Sequence, residues 1–275
     1  MLRLVSYYLL AVVLHTHAVE IIAHRGASYD APENTLASVK LGWKRQADAV
    51  EVDVFLSKDN RIVAIHNKNT NHTTGHDGLV KEMKWSELQK LDAGSWKDKK
   101  YKGEPIPLLS DILATIPKGK YLVIEIKCGP EIVQPLADLF KKANLAPEKT
   151  TIISFSYDVV LAVKKKFPRR MVHYLSSLKK DKISGELRPS VESLVQRAID
   201  AKLDGVSIGN MGFDGAAEND QLSHYLKKLR NETKKRNFGL YAWTVNDPRI
   251  AQALISHGFD GITTDRPLYL RNRLK

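Results

Sequence analysis

Acidic and apolar residues alternate through Ala49-Val50-Glu51-Val52-Asp53-Val54-Phe55-Leu56, which turns at Lys58-Asp59-Asn60 and returns through Arg61-Ile62-Val63-Ala64-Ile65-His66. In an extended strand, residues two apart share a face, so Glu51 and Asp53 point the same way. A tight turn centred on Asp59-Asn60 pairs residues whose numbers sum to 119 and sets His66 opposite Asp53. Two carboxylates and an imidazole then share one sheet face. A solvated edge strand is the plain alternative, but Val50, Val52, Val54, Ile62 and Ala64 make the other face apolar and mark both arms as buried. Buried acids are costly without a compensating cation, so a metal or acid–base site is expected here.

Other segments carry compatible groups. Glu125 joins Glu51 and Asp53 as a third hard oxygen ligand, and no cysteine accompanies them; such a set suits magnesium or calcium better than zinc. Lys127, two residues beyond Glu125, either forms a buried ion pair with it or binds what the metal binds. His24 stands next to Arg25, whose guanidinium fork suits phosphate or carboxylate. His24 and His66 can divide acid and base roles near neutrality. Together these groups point to phosphoryl chemistry on a diester. Trp243, with Tyr241 on the same strand face, packs either into the core or against an apolar or glycerol-like group.

These residues need a frame. Glu20–Gly26 reads as a short strand, and Asn34-Thr35 opens a helix to about Gln46. Beyond the hairpin, residues 67–103 are polar and turn-rich with one short helix (86–91), an insertion too long for a structureless loop in a regular domain. From Pro107 onward helices and strands alternate, with strand starts at Tyr121, Thr151, Met171, Gly205, Leu240 and Gly261. With Ile21 and Val50 this makes eight strands, each but the last followed by a helix, and the arm 61–66 adds a ninth, antiparallel one. The expected fold is an α/β (β/α)8 TIM barrel with an inserted segment after the second strand's hairpin; an open doubly wound sheet is the runner-up. In such barrels, chemistry sits at the C-terminal strand ends, where His24-Arg25, Glu51, Asp53, Glu125, Lys127, Ser154-Phe155, Trp243 and Thr264-Asp265 fall.

The chain of 275 residues, 43% hydrophobic, can bury one large core. Its formal charge of +12 is spread as helix-face pairs such as Lys227-Lys228; most of it is solvated surface, leaving room for an anionic substrate or an anionic membrane surface. No nucleic-acid partner is expected, because basic and aromatic residues do not interleave. Residues 1–18 read as a secretory signal: Arg3, an apolar run from Tyr7 to Leu14, and cleavage after Ala18. The mature barrel domain is then 19–275, exported to a periplasmic or extracellular compartment. Cys128 is the single cysteine, so no internal disulfide forms.

The sequence resembles the glycerophosphodiester phosphodiesterase family. The resemblance rests on His24-Arg25-Gly26, Pro32-Glu33-Asn34-Thr35, Val50-Glu51-Val52-Asp53-Val54, Ile65-His66 with Thr73-Thr74-Gly75, Leu91-Asp92-Ala93-Gly94-Ser95-Trp96, Gly103-Glu104-Pro105-Ile106-Pro107, Glu125-Ile126-Lys127, Trp243-Thr244-Val245-Asn246 and Asp260–Pro267. These span nearly the whole chain after residue 18. The resemblance implies His24 and His66 as acid and base, a divalent metal on Glu51, Asp53 and Glu125, and phosphate held by Arg25 and Lys127. It implies a small-molecule phosphodiester substrate, cleaved to glycerol 3-phosphate and an alcohol. Two positions depart from the family pattern: Asn67 stands where an aspartate is usual, and His72 where an arginine is usual. Two other readings stay open: a phospholipase D- or C-like barrel enzyme acting on lysophospholipids or other lipid head groups, and a non-catalytic phosphodiester-binding protein.

Overall fold

Alternation within the strands decides the architecture. The computed structural model describes residues 19–209, 211–213 and 219–274, so the expected signal segment 1–18 lies outside the described residues. In chain order the strands are β1 (Glu20–Ala23), β2 (Ala49–Leu56), β3 (Ile62–Ala64), β4 (Tyr121–Ile126), β5 (Thr150–Ser154), β6 (Met171–Ser177), β7 (Lys179–Lys180), β8 (Leu187–Arg188), β9 (Gly205–Gly209), β10 (Gly239–Trp243) and β11 (Gly261–Thr264). Eight of them are parallel and run β1-β2-β4-β5-β6-β9-β10-β11 around a closed barrel, because β1 pairs with both β2 and β11. The open sheet is thereby ruled out.

The helices are α1 (Leu36–Lys44), the short α2 (Asn71–Thr74) and α3 (Trp85–Leu88), α4 (Leu109–Leu113), α5 (Val133–Lys142), α6 (Tyr157–Lys166), α7 (Val191–Asp200), α8 (Asp220–Lys234), α9 (Pro248–Ser256) and α10 (Pro267–Arg273). The sequence reading left the last strand without a helix. In fact Pro267 starts α10 at its first turn, where a missing N–H costs nothing.

Outward residues of the strands, among them Val50, Val52, Val54, Leu122, Ile124, Val206 and Leu240, form the main core against the helices. Each such side chain contributes roughly 1.5–3 kcal/mol on burial. Inward residues form a second, smaller cluster inside the barrel around Ile22, Ala49, Val123, Ile153 and Leu175. The N-terminal end of the barrel is plugged by aromatic rings. His173 lies 4.8 Å from Tyr241, and the hydroxyls of Tyr121 and Tyr241 donate to Glu20 at 2.6 and 3.1 Å. Glycine at strand starts leaves space for them: a Cβ on Gly261 would stand 2.5 Å from the Tyr241 ring.

The hairpin corrects the expected register. Val54 pairs with Ala64, Phe55 with Val63 and Leu56 with Ile62, so partner numbers sum to 118 and Asp53 faces Ile65, whose N–H donates to the Asp53 carbonyl at 3.0 Å. The loop holds three residues rather than two: Ser57 and Arg61 close it, and Asn60 sits in the left-handed region at φ 57°. His66 lies beyond the end of β3 and reaches the mouth from a bend.

The segment 67–103 carries its own small core, with Val80, Leu88 and Ala93 packed on Val63, Ile65 and Ile106. Asp92 holds it by accepting from Gly94, Ser95 and Gly103 N–H groups at 2.9 Å each. Next to it, Glu104 accepts the Ala37 N–H at 2.9 Å, a carboxylate at the positive end of α1.

Candidate active site

The ends of β1, β2 and β4 build the acidic centre. β2 and β4 pair in register, Glu51 with Val123 and Asp53 with Glu125, so Glu51, Asp53 and Glu125 all point inward near the mouth. Ligand oxygens from the three carboxylates lie within 4.8 Å of one another. Glu51 and Asp53 are almost fully buried, at 2% and 1% exposure.

Nearby groups hold these carboxylates in place. After β1 the chain passes through two left-handed residues, Arg25 at φ 53° and Gly26 at φ 82°. This turn aims the Arg25 N–H at Glu51 Oε2, 2.8 Å away. A side chain at Gly26 would meet Ser38 atoms 2.4–2.6 Å off, so the turn requires glycine. The Arg25 guanidinium bonds Glu33 at 3.1 Å, and its Nε stands 3.2 Å from Asp53 Oδ2 without the alignment of a hydrogen bond. Lys127 Nζ donates to Glu125 at 2.7 Å and lies 3.5 Å from Asp53 Oδ1. Asn34 Nδ2 donates to Asp53 Oδ2 at 2.9 Å.

The centre has more negative than positive charge: Glu33, Glu51, Asp53 and Glu125 face only Arg25 and Lys127. Burial, with repulsion from Asp53 and Glu125, pushes the Glu51 carboxyl well above the usual range. Burial and Asp53 also raise Glu125, against the opposing pull of Lys127. For Lys127, burial disfavours the charge, but Asp53 and Glu125 outweigh it and hold its pKa above normal. Glu51 Oε1 is buried with no hydrogen-bond partner. A buried, unsatisfied carboxylate oxygen within a convergent oxygen set fits a hard divalent cation.

The two histidines flank this centre. His24 Nδ1 bonds Asp265 Oδ1 at 2.7 Å. Burial disfavours the Asp265 charge, yet bonds from His24, Asn246 and Ser28 outweigh it and keep that carboxyl far below the usual range. His66 Nδ1 bonds Asn67 Oδ1 at 2.9 Å. Burial lowers the His66 pKa, with Arg25 and Lys127 adding to the effect and Asp53 opposing it. In each ring Nε2 has no hydrogen-bond partner among the described residues. The histidine proton roles therefore differ in their support: His24 has a charged partner and His66 a neutral one.

Trp243, at the end of β10, points into the mouth. Its indole N–H donates to the Ser207 carbonyl at 3.3 Å, and its ring meets Phe155 edge-on at 5.3 Å. Phe155 is 43% exposed and its ring lies 5.9 Å from Lys127 Nζ. The eight residues singled out in the sequence thus all come to the C-terminal end of the barrel. The residue pattern places Asp265 at a chemistry-bearing strand end without a role and assigns none to Asn34 or Asn246, although each lies in a quoted motif. Of the two departures, Asn67 takes over the bond to His66, whereas His72 is exposed and packs on Trp96 at 5.8 Å. Cys128 takes no part; burial pushes its thiol up to about 11.

The model of the glycerophosphoryl diester phosphodiesterase family matches residues 24–269. The chain is 34% identical over 255 residues to YhdW of Bacillus subtilis, covering 91% of this chain and 96% of that one. It is 32% identical over 260 residues to a glycerophosphodiester phosphodiesterase of Caldanaerobacter subterraneus subsp. tengcongensis, covering 93% and 97%. Among solved structures, an Oleispira antarctica phosphodiesterase in complex with the product sn-glycerol-3-phosphate superposes with a TM-score of 0.78 at 28% identity, over 93% of this chain and 96% of that one.

Proposed function

The chain belongs to the glycerophosphoryl diester phosphodiesterase family, and from that premise we propose that it hydrolyses glycerophosphodiesters to glycerol 3-phosphate and an alcohol by metal-assisted, two-histidine catalysis. The observation that carries this reading is the placement of His24 and His66, each with one ring nitrogen tied by a hydrogen bond, beside the carboxylates Glu51, Asp53 and Glu125. Magnesium or calcium held by these three carboxylates would neutralise phosphate charge.

The chain's own groups do the rest. Arg25 and Lys127 bind the phosphate oxygens. His66, whose partner Asn67 is neutral, offers its Nε2 as the base that takes the proton from the nucleophile, either water or the substrate's own vicinal hydroxyl. In the second case the cyclic phosphate so formed is then opened by water to glycerol 3-phosphate, with the two histidines exchanging proton roles. His24, supported by the Asp265 carboxylate, carries the proton delivered to the leaving alkoxide. Phe155 and Trp243 border the position next to Lys127 and present an apolar wall to the alcohol or glycerol part.

That exposed wall also favours a second reading, cleavage of lysophospholipids. Turnover of glycerophosphocholine, glycerophosphoethanolamine and a lysolipid, each with magnesium and with calcium, separates the two. Tight binding of a glycerophosphodiester in metal-replete buffer, with turnover of neither it nor the lysolipid, would overturn both.

A further inference from the structure

Ile183 is 98% exposed, while the next large apolar side chain among the described residues, Tyr29, reaches 56%. It sits at the tip of the β7–β8 hairpin, which follows β6 and so projects from the same barrel end as the active site. The tip is a built turn. Asp181 Oδ1 accepts the N–H groups of Ile183 and Ser184 at 3.0 and 2.8 Å, and the Asp181 N–H donates to the Glu186 carbonyl at 2.7 Å. Turn and base are both fastened to α8, where Gln221 donates to the Gly185 carbonyl in the turn and the Tyr225 hydroxyl to the Pro189 carbonyl at the base, both at 2.9 Å. The isoleucine is thus held in water, away from the core.

The charge around it is net positive, Lys179, Lys180, Lys182 and Arg188 against Asp181 and Glu186. Lys179, Lys180 and Lys182 are exposed, and no acid among the described residues forms an ion pair with them. The nearby acids are engaged elsewhere, Asp181 in the turn and Glu186 with Arg188 at 2.8 Å. An apolar tip beside three unpaired lysines matches the boundary between anionic headgroups and acyl chains. A polyanion without an apolar layer would use the lysines and leave Ile183 in water.

We propose that this hairpin docks the barrel mouth on an anionic phospholipid surface, Ile183 entering the acyl boundary and Lys179, Lys180 and Lys182 meeting the headgroups. The basic helix α8 is another cationic surface, but its apolar residues Leu222, Tyr225, Leu226 and Leu229 are buried. No helix among the described residues is long and apolar enough to cross a membrane, so this contact is peripheral. It does not depend on which phosphodiester the site cleaves.

The test is co-sedimentation of the purified protein with vesicles of phosphatidylcholine alone or mixed with phosphatidylglycerol, at low and high salt. The protein should pellet with the mixed vesicles and be released by salt. Ile183→Glu should lower partitioning roughly tenfold to a hundredfold, and lysine-to-alanine changes at 179, 180 and 182 roughly fivefold each. Both sets should leave turnover of soluble glycerophosphocholine at the wild-type value. Ile183→Trp should show blue-shifted emission when mixed vesicles are added. Absence of wild-type binding, or binding that Ile183→Glu leaves intact while Lys227→Glu/Lys228→Glu abolishes it, would overturn the proposal. So would light scattering that shows a dimer dissociated by Ile183→Glu, which would make the tip a contact between copies.

Discussion

Asn34 and Asp53 are paired twice: Asn34 Nδ2 donates to the Asp53 carboxylate and Asn34 Oδ1 accepts the Asp53 backbone N–H, each at 2.9 Å. Asn34 sits at φ 57°, a backbone conformation that asparagine tolerates better than most residues. The pair fixes both the strand end and the orientation of the carboxylate between Arg25 and Lys127. Asn34→Ala should therefore weaken binding of magnesium or calcium about 10–100-fold, as loss of such supporting partners does. Titration calorimetry with each metal measures this; unchanged affinity would separate Asn34 from the metal centre.

The histidines give the second prediction. His24→Ala and His66→Ala should each lower kcat roughly 10²–10⁴-fold with the fold intact by circular dichroism. Near-normal turnover in either variant removes that residue from proton transfer.

Their unlike partners give a third, read from the pH profile of kcat/KM. Asp265→Asn removes the carboxylate beside His24, so the alkaline limb should move to lower pH. Asn67→Asp adds a carboxylate beside His66 and should move the acid limb to higher pH, since the base must then lose a more tightly held proton. Movement of the other limb instead, the acid limb downward in Asp265→Asn and the alkaline limb upward in Asn67→Asp, would exchange the acid and base assignments.

Metal removal is the fourth. Exhaustive chelation should abolish turnover, and added magnesium or calcium should restore it. The same metal should raise the melting temperature of the wild type but not of Asp53→Asn. Activity that survives chelation would count against a metal-assisted reaction.

A fifth prediction concerns stability. His173 is buried inside the barrel with Nε2 unpartnered; burial, with Lys164 adding and Asp204 opposing, lowers its pKa to about 4. The unfolded chain takes up this proton near pH ~6.5 and the folded protein does so only later. Stability from this group is thus complete above that value and falls as pH drops toward about 4, by on the order of 3 kcal/mol. Urea midpoints followed over this range should show the loss, and His173→Leu should flatten it.

Much of the site was legible because strand periodicity is local. Alternation through Val50–Val54 assigned Glu51 and Asp53 to one face, and repeated β-then-α segments favoured, over an open doubly wound sheet, a barrel whose strand ends carry the chemistry. The hairpin shows where local reading stopped. The loop takes in one extra residue, Lys58, with Asn60 in the left-handed region, and this shifts the pairing by one; hydrophobic pattern alone does not reveal it. Asp265 and Asn34 lie 241 and 19 residues from the groups they hold, His24 and Asp53, and no sequence spacing encodes such contacts.

By itself, the sequence determined the strand faces, the eightfold repeat and the identity of the acids, histidines and cations at the mouth, since each follows from residue type and short-range period. Only the tertiary structure decided that Asp53 stands beside Glu125, that Asp265 closes on His24, and that Ile183 is held out in solvent. These depend on strand register and barrel closure, which bring distant segments together through hydrogen bonds and packing that no local pattern specifies.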